Sequence, residues 1–214
     1  MHWLWMVMVL YIVGIGPGSS DYITPAAAVA VGDSDTVFGS RRALELFPDV
    51  TEAVVLGAGD MDEKLEMAVE LAVSGKVSVL STGDPGFSGV LKPVKRIISK
   101  NKLDVEIQVI PGVSSVQLCA ARLLIPWDDA DMVTFHGRGE ENILDILDNG
   151  RPTIILPSRT PSETARFLIE SGMDPERCVA VCERLSYPDE RVVELKLREL
   201  VVSEFSYMSV IVVF

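Results

Sequence analysis

Positive charge is scarce in this chain. It has 19 lysines and arginines against 31 acidic side chains, a formal net charge of −12 over 214 residues, which argues against a nucleic-acid substrate. The same field repels an anionic small molecule at long range, so a ligand with carboxylate arms needs local arginines to hold it. Two histidines argue against a histidine metal centre, and no nucleophile–base pair of the serine–histidine–aspartate kind can be assembled. The three cysteines, Cys119, Cys178 and Cys182, lack a metal-type spacing beyond one pair four apart. Their odd number points to free, buried thiols in a reducing cytoplasm. A membrane-spanning run is missing too. Met1 to Val13 is almost wholly apolar, yet no basic segment precedes it, no small-residue cleavage site follows it, and it falls short of the roughly 20 residues that cross a bilayer. Met8–Val13 reads instead as a buried parallel strand, with the residues before Met6 an extension ahead of the structured start. No internal repeat or low-complexity segment is present.

With 48% hydrophobic and 23% charged residues, the chain has the composition of a globular protein that buries a real core in one large or two small domains. Its first half alternates strands and helices. After Met8–Val13, Thr24 caps a helix with Pro25 in the first helical position. Thr36–Gly39 is a strand, Arg41–Phe47 a short helix, and Ala53–Leu56 the next strand. From Asp62 to Val73, Leu65, Val69 and Ala72 fall on one helical face, and Gly75 stops the helix. Val77–Leu80 and Val105–Ile110 are further strands, and Ser114–Leu124 a helix. This order predicts a mostly parallel sheet with helices on both faces.

The segment Ile125–Ala130 breaks the pattern and marks a boundary, giving domains of residues 1–125 and 126–214. The second half has strands at Met132–Phe135 and Thr153–Leu156 and helices at Glu141–Leu147 and Ser162–Glu170. It closes on three strands, Val179–Cys182, Arg191–Leu197 and Met208–Phe214, too near one another for crossover helices, so antiparallel pairing is expected. The fold class is thus α/β, in two domains with a cleft between them, the N-terminal sheet mostly parallel and the C-terminal sheet mixed.

Glycine is concentrated where strands end. Ser81-Thr82-Gly83-Asp84-Pro85-Gly86-Phe87-Ser88-Gly89 follows Val77–Leu80 and sets three glycines and a proline around one carboxylate. Gly14-Ile15-Gly16-Pro17-Gly18 follows the first strand in the same way, and Pro111–Ser115 follows Val105–Ile110. An ordinary strand-to-helix turn needs about one glycine; clusters of this kind bring backbone close to a ligand, and ligands of open α/β sheets bind beyond the carboxyl ends of strands. The first loop is not a dinucleotide fingerprint, because Ser19 stands where the third glycine belongs and Pro17 removes an amide. Asp33 and Asp35, at about the distance of a ribose-binding acid, precede the second strand instead of ending it. The phosphate-loop lysine motif is absent.

Taken in order, Gly14-Ile15-Gly16-Pro17-Gly18 with Tyr22-Ile23-Thr24, the loop Ser81–Gly89, and Pro111-Gly112-Val113-Ser114-Ser115-Val116-Gln117 resemble the tetrapyrrole methylase family over essentially the whole chain. Within it, Gly83–Gly89, Ile125–Ala130, Phe135-His136-Gly137-Arg138 and Tyr187-Pro188-Asp189-Glu190-Arg191 look most like the branch that methylates carbon 5 of cobalt-precorrin-7. The resemblance implies the tetrapyrrole methylase fold and methyl transfer from S-adenosylmethionine to a ring carbon of a corrin precursor in cobalamin biosynthesis. It places Pro17, Gly83, Asp84, Pro85, Phe87, Ser114 and Ser115 around the cofactor in the first domain, with Ser158 and Leu185 closing the site from the second. Gly16, Gly18, Arg41, His136 and Arg138 are the substrate candidates, with Arg42 and Arg159 as further cations for acetate and propionate arms. No residue is assigned as acid or base, since an activated sulfonium leaves positioning as the main task. Asp84 is expected to hold the cofactor.

The resemblance further implies a cytoplasmic enzyme, a homodimer, a small-molecule corrin substrate whose cobalt arrives within it, and a separate decarboxylating carbon-15 methylase as partner, with no nucleic-acid or membrane partner. Other readings share these residues: a methylase of another macrocycle position, a diphthine synthase or ribosomal-RNA type of the same family, a nicotinamide-dependent dehydrogenase, or a non-catalytic module that binds adenosyl ligands.

Overall fold

The computed structural model describes residues 8–135 and 143–214. They form two compact units, divided between Ser114 and Ser115. The sequence had placed the division near Ile125, so the helix after Pro111 groups with the second unit.

In the first unit, β1 (Val9–Gly14), β2 (Thr36–Gly39), β3 (Ala53–Val55), β4 (Lys76–Ser81) and β5 (Ile107–Ile110) form one sheet in the order β3-β2-β4-β1-β5. All its pairings are parallel. Strand β1 lies inside the sheet between β4 and β5 and reads as a continuous apolar run because both faces are covered. Leu10 and Ile12 pack with Leu65, Val69, Val94 and Ile97 of α3 (Met61–Leu71) and α4 (Leu91–Asn101). Val13 packs with Ala27, Ala30 and Val31 of α1 (Pro25–Gly32). Helix α1 starts as expected, the Thr24 hydroxyl accepting from Ala27 N at 3.1 Å with Pro25 in the first turn. Helix α2 (Arg41–Leu44) is shorter than the sequence implied. Helix α4 is an addition to the sequence reading: it has no side-chain cap, and Pro93 lies in its first turn, where a missing N–H costs nothing.

In the second unit, β6 (Asp131–Thr134), β7 (Thr153–Leu156), β8 (Cys178–Glu183), β9 (Arg191–Lys196) and β10 (Ser209–Val213) take the order β6-β7-β10-β8-β9. Only β6 and β7 run parallel; the pairings of β10 with β7 and β8, and of β8 with β9, are antiparallel. Helices α6 (Ile143–Leu147), α7 (Pro161–Glu170) and α8 (Leu197–Leu200) supply one apolar face, where Leu147, Leu168, Leu197 and Leu200 meet Ile155, Val181 and Ile211. Helix α5 (Ser115–Arg122) places Cys119 Sγ 3.1 Å from Cys182 Sγ on β8. That contact, with burial, pushes the Cys119 thiol well above its ordinary value. Cys178, expected to be buried, is exposed at the start of β8.

Candidate functional site

The carboxyl ends of β4, β1 and β5 are neighbours in the first sheet, and the three glycine-rich segments leave from them. They meet backbone to backbone. Ile15 N donates to Ser81 O at 3.1 Å and Gly83 N to Gly16 O at 2.8 Å, an isolated antiparallel bridge between the first two loops. Gly16 and Gly83 both have positive φ, 78° and 73°, which a side chain would resist. The third loop lies against the other two so closely that a Cβ on Gly112 would sit 2.4 Å from Gly83 O and 2.7 Å from the Gly14 carbonyl carbon. The sequence clusters its glycines because no side chain fits at this junction.

Asp84 ties the loops together. Its Oδ1 accepts from Gly86 N at 2.8 Å, closing a turn within its own loop, and its Oδ2 accepts from Gly112 N at 3.2 Å. Pro85 and Ser114 are buried, Asp84, Phe87 and Ser115 are half-buried, and Thr82, Gly86 and Ser88 are exposed. In the first loop Gly16 and Pro17 are buried and Gly18 is half-buried. Arg41 opens α2 just past the end of β2 and is exposed. It borders a shallow recess of about 270 Å³ with Leu44, Phe47 and Val55.

In the second unit, register places the ends of β7 and β8 at one edge of the sheet, since Ser209 of β10 pairs with Glu183 and Ile211 with both Ile155 and Val181. Ser158, exposed beyond β7, and Leu185, buried beyond β8, therefore share that edge. Glu183, 7% exposed, accepts from the Arg191 guanidinium and from Ser206 N. Burial pushes its carboxyl up, but those hydrogen bonds, with the charges of Arg191 and Arg184, hold it below the usual range. Glu190 is held down in the same sense, burial being outweighed by Arg122 and by Ser186 N. Sequence reasoning did not single out Glu183. Its signal is an acid closing an apolar strand, eight residues before Arg191 in the hairpin that pairs them. His136 and Arg138 lie outside the described residues.

Asp33 and Asp35 are at the opposite, amino-terminal end of the first sheet. Asp33 accepts from Tyr11 Oη at 3.0 Å and pairs with Lys76 Nζ at 2.7 Å, while Asp35 accepts from Lys76 N at 2.8 Å. They are far along the strands from the glycine loops, which removes the ribose-binding acid that a dehydrogenase would need. Among the described residues no group of three or more histidine, cysteine or acidic side chains can hold a metal ion, and no helix is long and apolar enough to cross a membrane.

Small residues at converging loops let backbone polar groups come close to a ligand at the strand ends. Known proteins are similar to the chain over nearly its full length. A protein of Methanocaldococcus jannaschii described as a probable cobalt-precorrin-7 C(5)-methyltransferase is 39% identical over 207 residues, 95% of this chain and 96% of that one. The crystal structure of a cobalamin biosynthesis precorrin-6Y methylase from Archaeoglobus fulgidus superimposes with a TM-score of 0.73 at 28% identity, covering 96% of this chain and 97% of that one. A uroporphyrin-III C-methyl transferase from Thermus thermophilus, solved with S-adenyl homocysteine, shares the fold at 23% identity and a TM-score of 0.75, covering 96% and 91%. With the pattern of the Tetrapyrrole (Corrin/Porphyrin) Methylases matched from residue 9 to residue 201, the chain belongs to that family.

Proposed function

We propose that this chain transfers a methyl group from S-adenosylmethionine to carbon 5 of cobalt-precorrin-7 in cobalamin biosynthesis. The observation that carries the reading is the backbone junction of Gly14–Gly18, Gly83–Gly89 and Pro111–Ser114 at three adjacent strand ends, in a chain similar over nearly its full length to a relative named for that reaction. The cofactor supplies an already activated methyl group. The protein's work is to hold donor and ring carbon in line and to exclude water. In the first unit Pro17, Gly83, Asp84, Pro85, Phe87 and Ser114 are assigned to the cofactor, and in the second Ser115, Ser158 and Leu185.

Asp84 acts as a strut as much as a contact, because its carboxylate already fixes the Gly86 and Gly112 amides. Gly16, whose carbonyl is taken by Gly83 N, contributes backbone shape; Gly18 and Arg41 remain substrate candidates, together with His136 and Arg138. An arginine fork on a propionate or acetate arm offsets the repulsion of a net charge of −12. A cytoplasmic homodimer working beside a separate carbon-15 methylase completes the proposal.

The test is to incubate the purified chain with methyl-labelled S-adenosylmethionine and a set of precorrin intermediates and to locate the label by NMR. Label at carbon 5 is expected. Label at another ring carbon moves the chain to a different branch of the family, and no transfer to any tetrapyrrole sinks the reading. Asp84→Ala is expected to weaken S-adenosylhomocysteine binding about tenfold by calorimetry, and unchanged affinity would remove Asp84 from the site.

A further inference from the structure

The run Tyr187-Pro188-Asp189-Glu190-Arg191 stands out in the sequence, yet no residue of it enters the chemistry above. It lies in the second unit just beyond β8, next to Leu185. Leu185 is 4% exposed and is flanked by two non-glycine residues in the left-handed region, Arg184 with φ 49° and Ser186 with φ 72°. Side chains disfavour that conformation, and it persists only where the surroundings hold it.

What holds it is largely Glu190. Its Oε2 accepts from Ser186 N at 2.6 Å, and its Oε1 accepts from Arg122 Nε of α5 at 2.5 Å. Two turns close the same loop, Tyr187 N donating to Arg184 O and Glu190 N to Tyr187 O, both at 3.0 Å. On the other flank Asp189 pairs with Arg184 at 2.5 Å, and the Arg184 guanidinium lies 4.7 Å from the Tyr187 ring centroid. Arg191, last of the run, reaches back to Glu183 and stacks over Phe205. The run is therefore a set of staples around one buried leucine.

We propose that Glu190 is a positioning residue for the methyl donor: by gripping the Ser186 amide and Arg122 together, it fixes the left-handed loop that presents Leu185. The proposal rests on the assignment of Leu185 to the cofactor. Such a grip acts on donor binding and leaves the macrocycle's own contacts alone, so its loss separates the two Michaelis constants.

The experiment uses the full chain, with S-adenosylhomocysteine affinity by calorimetry, KM for each substrate, and thermal melting. Glu190→Ala is expected to weaken S-adenosylhomocysteine and raise KM for S-adenosylmethionine about tenfold, with KM for the macrocycle unchanged. Glu190→Gln keeps an acceptor for Ser186 but loses the Arg122 fork, and is expected to fall between the alanine variant and the wild type. Arg177→Met is the control for general loosening, because Arg177 binds Leu147 O and Phe214 O near the opposite end of β8; it is expected to melt earlier and to bind normally. If Glu190→Ala does not fold, Arg122→Met reports the same grip with a smaller loss. Normal affinity in the Glu190 variants, or in Arg122→Met where it stands in, overturns the positioning role and leaves the proposed function standing, as does equal weakening in Arg177→Met. A wild-type chain that binds no S-adenosylhomocysteine overturns the proposed function itself.

Discussion

The two units bring their candidate residues to strand ends by opposite means. In the first, three loops meet backbone to backbone with one carboxylate, Asp84, tying two of them, and what makes the close approach possible is the absence of side chains at Gly14, Gly83 and Gly112. In the second, the loop beyond β8 is held by long charged side chains, with Glu183, Asp189 and Glu190 facing Arg191, Arg184 and Arg122. A junction built chiefly of backbone has no room for a methyl. A carboxylate junction accommodates changes in volume and fails when charge is lost. The same task, fixing a loop at a strand edge, thus leaves the units with different weaknesses.

The sharpest way to break that contrast is Gly112→Ala. The added Cβ meets the Gly83 carbonyl oxygen and Gly14 backbone, atoms that cannot rotate aside, so the loops must part. A loss of about 3 kcal/mol in urea unfolding is expected, together with loss of measurable S-adenosylhomocysteine binding. An alanine variant that melts and binds like the wild type would show that the junction opens readily.

The corresponding removal in the second unit is Glu183→Ala, expected to cost about 2 kcal/mol because the Ser206 amide and the Arg191 guanidinium lose a shared, largely buried acceptor. Acid should reproduce part of this. Glu183 and Glu190 titrate below the ordinary glutamate value in the folded chain. Their contribution to stability is therefore complete above about pH 4.3 and is lost as the pH falls through their depressed values. Urea unfolding at neutral pH and below pH 4 should show a larger drop for the wild type than for the Glu183→Gln, Glu190→Gln double variant. An equal drop in both would assign the acid sensitivity to other carboxyls.

The first unit was the more legible in sequence for the same reason. Glycine clusters after apolar runs are local signals, and they marked the three strand ends that the fold makes neighbours. Strand periodicity also located β2 and β7 to the residue, at Thr36–Gly39 and Thr153–Leu156. The second unit's staples join residues such as Arg122 and Glu190, which are 68 positions apart, and no local pattern announces such a pair. Helix α4 escaped because a proline in its first turn resembles a break and no polar cap precedes it. The helix after Pro111 groups with the second unit, where Cys119 is buried against Cys182, a contact with no trace in the composition of Ile125–Ala130.

The smallest test uses a feature that the units share. Both α1 and α7 begin with threonine followed by proline, Thr24-Pro25 and Thr160-Pro161. Thr24 makes the single bond to Ala27 N at 3.1 Å. Thr160 belongs to a reciprocal box, its hydroxyl accepting from Glu163 N at 3.3 Å while Glu163 Oε2 accepts from Thr160 N at 3.0 Å. Each threonine-to-alanine change should cost about 1 kcal/mol. The box retains its Glu163-to-Thr160 backbone bond in Thr160→Ala, whereas Thr24→Ala leaves the first turn of α1 to water. Thr24→Ala is therefore expected to lose slightly more in urea unfolding, although its cap has fewer bonds to begin with. The reverse order would mean that the two bonds of the box act cooperatively, so that the carboxylate's grip fails with the hydroxyl. Charged staples in the second unit would then be mutually dependent, and the contrast with the first unit's backbone junction would deepen.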